Sequence, residues 1–86
     1  MGLDNDHALH ELAGESVRAG RLPACLPERI LGGQGSGAAC DLCARELRKC
    51  EPELEIEIAA TRDGASRRLH LHVECFAAWD RTREAL

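Results

Sequence analysis

Four residues of this chain have the types and spacing for metal chemistry. Cys40 and Cys43 are separated by two residues, His72 and Cys75 by two more, and 28 residues lie between the pairs. Together they supply four sulfur and nitrogen donors, the number a closed tetrahedral zinc site takes. Two intervening residues let both side chains of a pair turn toward one ion, in a tight turn or in the first turn of a helix. The expected centre is one structural Zn2+ held by Cys40, Cys43, His72 and Cys75. Iron could use the same donors, but a closed Cys3His set favours zinc. Four protein ligands leave no position for a catalytic water, and outside the cluster no nucleophile–base pair or carboxylate dyad is recognisable, so no enzyme is expected.

Such a centre makes sense in so short a chain. The 86 residues allow one domain, and with one Phe, one Trp and no Tyr the core is too small to dispense with a staple. The formal charge is −4; three deprotonated thiols and a divalent ion change it by one, to about −5. That acidity argues against a general binder of nucleic acid or anionic membrane. No stretch approaches transmembrane length, and no basic segment followed by an apolar run marks a signal peptide. Five cysteines, three of them joining His72 in two pairs at ligand spacing, fit metal in a reducing cytoplasm better than a secreted disulfide framework.

The elements that must position the ligands follow from periodicity. Residues 4 to about 19 read as a helix, with Asp4 or Asp6 as cap, an apolar stripe of Leu9, Leu12, Ala13, Ser16 and Val17, and Gly20 as stop. His7 and His10 lie one turn apart on it, either as a second metal pair or, as their setting favours, on a solvated face. Pro23 and Pro27 make residues 21–31 an extended connector, whose Leu22, Leu26, Ile30 and Leu31 are apolar enough to pack across the module and whose Cys25 reads as a small packed residue. Residues 32–37 lack the Gly-Lys-Ser/Thr of a phosphate loop and read as a flexible lead-in to Cys40 that could fold back over the knuckle. The chain thus divides into residues 1–37, helix and Gly-rich connector, and residues 38–86, the zinc-binding module.

Within that module, Arg45, Arg48 and Lys49 follow the first ligand pair and would offset thiolate charge, while Cys50 is a spare thiol. Residues 53–60 alternate, Glu53, Glu55 and Glu57 against Leu54, Ile56 and Ile58; residues 67–73 do the same with Leu69, Leu71 and Val73. Asp63-Gly64 between them signals a hairpin. A turn centred there puts Ile58 opposite Leu69, Ile56 opposite Leu71, Glu57 opposite His70 and Glu55 opposite His72. In this register His70 is a cross-strand polar partner of Glu57, His72 is the ligand, and Glu55 could orient its imidazole. From Val73 to about Glu84 the pattern is helical, with Cys75 in the first turn and Phe76 and Trp79 as core residues.

Knuckle, hairpin and a helix carrying the second ligand pair resemble a treble-clef zinc finger. The spacing Cys40-x2-Cys43-x28-His72-x2-Cys75, with Phe76 following, is similar to the poly(ADP-ribose) polymerase-type finger. Gly35-Ser36-Gly37 before the first pair, and the run from His72 through Trp79, also resemble small bacterial zinc-binding proteins. The resemblance implies a small α+β fold: an N-terminal helix, then a treble-clef-like module of zinc knuckle, β-hairpin and C-terminal helix. Polymerase-type fingers bind broken DNA through basic residues and exposed apolar side chains; here Glu53, Glu55 and Glu57 line one hairpin face. The expected role is therefore a non-catalytic interaction module, a small bacterial regulatory or adaptor protein with a protein partner. Two other readings remain: a nucleic-acid finger using Arg62, Arg67, Arg68, Arg81 and Arg83, and a thiol redox sensor using Cys50 beside Arg48 and Lys49.

Overall fold

A computed structural model describes residues 2–58 and 67–85, with side chains from His7 onward. The chain runs helix, three strands, helix: α1 (Gly2–Arg18), β1 (Pro27–Gln34), β2 (Pro52–Ile58), β3 (Arg67–His72) and α2 (Val73–Ala85). The strands form one antiparallel sheet in the order β1-β2-β3. This is the small α+β fold the sequence implies, with one strand more than expected.

Helix α1 starts at Gly2, so Asp4 and Asp6 lie inside it and neither caps it. Its stop is as read. Gly20 adopts φ +80°, which a glycine takes without Cβ strain. Gly20 N–H donates to Val17 O at 3.1 Å and Arg21 N–H to Ser16 O at 2.9 Å, the paired bonds that satisfy the last carbonyls of a helix. The reversal tucks Leu22 into the core. On the inner stripe Ala13 and Ser16 are buried, and Leu9, Leu12 and Val17 pack partly against the core. That stripe meets α2, which in turn lies on β2 and β3.

The core is the apolar side of this stack. Ile56, Ile58, Leu69 and Leu71 point from the sheet toward Trp79, which is fully buried. Its indole Nε1–H is satisfied by Pro23 O at 2.8 Å, so the segment after α1 is pinned to α2. Phe76 meets the Trp79 ring edge-on at 5.9 Å between centroids, and the Arg83 guanidinium lies over the same ring. Both aromatics serve packing, as their spacing suggested.

Three expectations are corrected. The end of the expected connector and the start of the Gly-rich lead-in instead form the edge strand β1, in which Ile30, Leu31, Gly32, Gly33 and Gln34 pair with Ile56, Glu55, Leu54, Glu53 and Pro52. Of the apolar residues expected to pack across the module, only Leu22 does. Leu26, Ile30 and Leu31 are exposed: α2 covers β2 and β3 but not β1, and Leu31, paired with Glu55, lies on the face away from the core. Cys25 is exposed as well, not packed.

The third correction is the register of β2 on β3. Leu54 pairs with Leu71, Ile56 with Leu69, Glu55 with His70 and Glu53 with His72. Every pairing is displaced by two residues from that of a turn centred on Asp63-Gly64. A two-residue shift leaves each side chain on its face, so the alternation was compatible with both registers. The Asp63-Gly64 turn itself lies outside the described residues. Among the described residues no helix is long and apolar enough to cross a membrane.

Candidate metal centre

The first ligand pair sits on a tight hairpin. Cys40 N–H donates to Arg45 O at 2.8 Å and Ala44 N–H to Cys40 O at 2.9 Å; Ala39 and Glu46 bridge below them. Closing so short a loop forces Ala44 to φ +67°, a left-handed conformation uncommon for a residue with a Cβ. The Gly-rich segment does fold back on this knuckle. Gly35 N–H donates to Glu51 O and Gly37 N–H to Leu47 O. A Cβ on Gly35 would stand 1.9 Å from Arg48 O, so only glycine fits there.

Asp41 attaches the knuckle to the sheet. Its N–H donates to His70 O at 2.8 Å, and its carboxylate accepts from His70 N–H at 2.7 Å. This clamp on β3 brings Cys40 and Cys43 to the point where β3 passes into α2. There His72 ends the strand and Cys75 occupies the first turn of the helix.

The structure thereby brings together all four residues named from the sequence. One ligand atom from each of Cys40, Cys43, His72 and Cys75 lies within 4.8 Å of the others. His72 presents Nδ1, 3.4 Å from Cys43 Sγ and 3.9 Å from Cys75 Sγ. Cys40, His72 and Cys75 are buried and Cys43 is partly so. Four soft and borderline donors converging in a mostly buried pocket can hold a metal ion.

The electrostatics agree with that chemistry. Cys40 lies well below the usual thiol range. The main cause is a hydrogen bond from Cys75; burial opposes it, and backbone amides of Cys43, His72 and Leu42 assist. Cys75 is pushed in the opposite direction, because it keeps the proton shared with Cys40 and is buried. Burial pulls His72 down, but its bond and attraction to the Cys40 thiolate, together with Glu51, raise it overall. Arg45 is raised by its hydrogen bond and attraction to Cys43. At Cys40, an arriving cation meets a group already biased toward thiolate.

The carboxylate facing the ligating histidine is not the one expected. Glu55 pairs with His70, one row away from His72. The acid near the free imidazole nitrogen is Glu51, whose Oε1 lies 3.6 Å from His72 Nε2. The same oxygen accepts from Arg48 N–H at 3.2 Å, which fixes the carboxylate and lowers its pKa. Sequence reasoning missed Glu51 because the displaced register carried His72 toward this end of β2. His70, the competing histidine, is engaged elsewhere: its Nδ1 bonds to Glu53, not Glu57. Glu53 is buried and also accepts from Ser36 N–H at 2.7 Å.

The other candidates lie apart from the centre. His7 and His10 are exposed on α1, and His7 pairs with Glu11 one turn on, at 3.0 Å. Cys50 is exposed at the turn before β2. Compared with protein-family models, curated proteins and solved structures, the chain matches none.

Proposed function

We propose that the chain is a structural zinc-binding module of treble-clef type that serves as a non-catalytic interaction protein. The observation that carries this reading is the geometry of the four donors. Tetrahedral zinc, with bonds of about 2.3 Å to sulfur and about 2.0 Å to nitrogen, sets sulfur–nitrogen separations of about 3.6 Å. The two contacts of His72 Nδ1, at 3.4 and 3.9 Å, bracket that value. Disulfide pairing would draw two sulfurs to about 2 Å and leave the histidine without a role. The order of knuckle, strand pair and helix, with two ligands from the knuckle and two from the strand–helix junction, supports the treble-clef assignment.

The same geometry supports a structural ion. All four positions around it are taken by protein, and the ion would join the knuckle, β3 and α2, the elements that enclose the core. His72, held at Nδ1 by the ion and faced at Nε2 by Glu51, would have its tautomer and ring orientation fixed.

For the partner, the basic side chains favour a protein over nucleic acid. Arg68 is engaged by Glu55 and Glu57, Arg29 by Glu57, and Arg83 by Asp80 and the Trp79 ring. Arg67 donates to Arg21 O. Held in separate contacts in this way, these arginines do not form the basic stripe that phosphate binding requires. A pull-down with metal-replete and chelated protein tests the role: a protein captured only by the metal-replete form supports it. Salt-sensitive retention of nicked or single-stranded DNA in place of any protein would overturn it.

A further inference from the structure

One edge of the sheet is covered at its centre and the other is open. On β3, the outward N–H and C=O of His70 are both taken by Asp41 of the knuckle. On β1, Gly35 N–H donates to Glu51 O. Since main-chain bonds alternate along an antiparallel ladder, Gly33, Leu31 and Arg29 bond to β2. Ile30, Gly32 and Gln34 therefore turn their N–H and C=O outward, with no partner among the described residues. An open edge carrying Ile30 at 46% and Leu31 at 42% exposure is a template for another strand.

We propose that β1 pairs antiparallel with β1 of a second copy, about a two-fold axis through Leu31, joining the two sheets into one. The residues of β1 select this partner and this register. Opposed residues across such an axis lie on the same face, so Ile30 meets Gly32, Arg29 meets Gly33 and Glu28 meets Gln34. Each large side chain at the start of the strand is received by a glycine near its end. Placing the axis at Ile30 would instead oppose Arg29 to Leu31; placing it at Gly32 would oppose Ile30 to Gln34 and leave the centre without side chains. With the axis at Leu31, the outward-facing Ile30 and Gly32 become the hydrogen-bonded pairs, and the two Leu31 Cα atoms approach to about 4.5 Å.

Both faces of the joint are complementary. A side chain placed over Gly32 meets Leu54, whose Cδ2 lies 3.8 Å from the position of a Cβ there. Ile30 of the second copy would cover that methyl, on the side α2 leaves bare. On the other face a groove of about 210 Å3 runs beside Gly33, edged by Glu53, Glu55 and His70. Arg29 of the second copy, exchanging its 3.8 Å contact with Glu57, would extend over Gly33 into this acidic groove. Pro27 and the register irregularity between Pro27 and Arg29 end the pairing on one side. The pairing deepens the interaction reading by naming a partner; it stands on the sheet edge whatever ion the centre holds.

The test is sedimentation velocity over a wide concentration range on metal-replete protein carrying Cys25→Ser and Cys50→Ser, so that no surface disulfide can mimic association. Metal content measured on the same sample separates failure of the pairing from failure of the zinc reading. A reversible dimer is expected. Adding Leu31→Lys, which puts two ammonium groups at the axis, should weaken it by about tenfold or more. Circular dichroism should not change, since Leu31 is already exposed. In a mixed labelled and unlabelled sample, isotope-filtered NOEs should join Ile30 of one copy to Gly32 of the other. A dimer that ignores Leu31→Lys, or that lacks the Ile30–Gly32 contact, overturns the proposal. A monomer at every concentration also overturns it.

Discussion

Replacing Glu51 by Gln tests how the protein tunes its metal centre. Gln keeps an oxygen that can accept from Arg48 N–H, so the backbone at the turn before β2 should hold. What it removes is the negative charge facing His72 Nε2. Carboxylates behind a ligating histidine typically change metal affinity by about 10–100-fold. The structure places Glu51 at the weak end of that range. Its separation from Nε2 is 3.6 Å, longer than a hydrogen bond, and its side chain is 37% exposed, so solvent screens the pair. The expected loss is about tenfold. Competition titration against a chelating dye, with zinc as the ion, reads it directly. Glu55→Gln is the matched control: that carboxylate faces His70 and Arg68 and should leave zinc affinity unchanged. An unchanged affinity for Glu51→Gln, or an equal loss for Glu55→Gln, would refute the assignment of Glu51.

Gly35→Ala should lower stability by about 1–3 kcal/mol, through a clash with Arg48 O that neither backbone can avoid, and thermal unfolding would read it as a fall in Tm. Trp79→Phe should cost about 1–3 kcal/mol in urea unfolding, because it strips Pro23 O of its donor and leaves space in the core. Glu53 is a third site. Burial raises its pKa, but bonds from His70 and Ser36 outweigh burial and lower it overall. A carboxyl depressed on folding contributes stability that is present above its unfolded value, about 4.3, and lost as pH falls through the lower folded value. Wild type should therefore exceed Glu53→Gln by roughly 1.5–3 kcal/mol at neutral pH. That difference should vanish on acidification below the carboxylate range. Ligand titration is common to both proteins and cancels in the comparison.

The ligand pairs, both helices, β2 and β3 could be read from the chain because each carries a strong local signal. Cys40 and Cys43 lie in one turn, Cys75 follows His72 at helical spacing, and Leu54, Ile56, Leu69 and Leu71 alternate onto one buried face. β1 could not be read in the same way. It is exposed along nearly its whole length, so no alternation was imposed on it, and Pro27, Gly32 and Gly33 are residues that local propensity assigns to loops. Edge position is what admits them. The register error had another origin: the side-chain period of a strand is two, so burial rules out a slip of one residue but is blind to a slip of two. That blindness moved the carboxylate expected at His72 from Glu51 to Glu55. Cys25 looked packed because small thiols usually are, but the chain passes it outside the helix pair.

The central claim is that one zinc ion, held by Cys40, Cys43, His72 and Cys75, is part of the fold. Native mass spectrometry of the purified protein before and after chelation, with circular dichroism on the same samples, tests it most directly. The account predicts one zinc per chain and loss of ordered structure when the ion is removed. A protein that carries no metal, or that keeps its fold and stability after the ion is stripped, would contradict it.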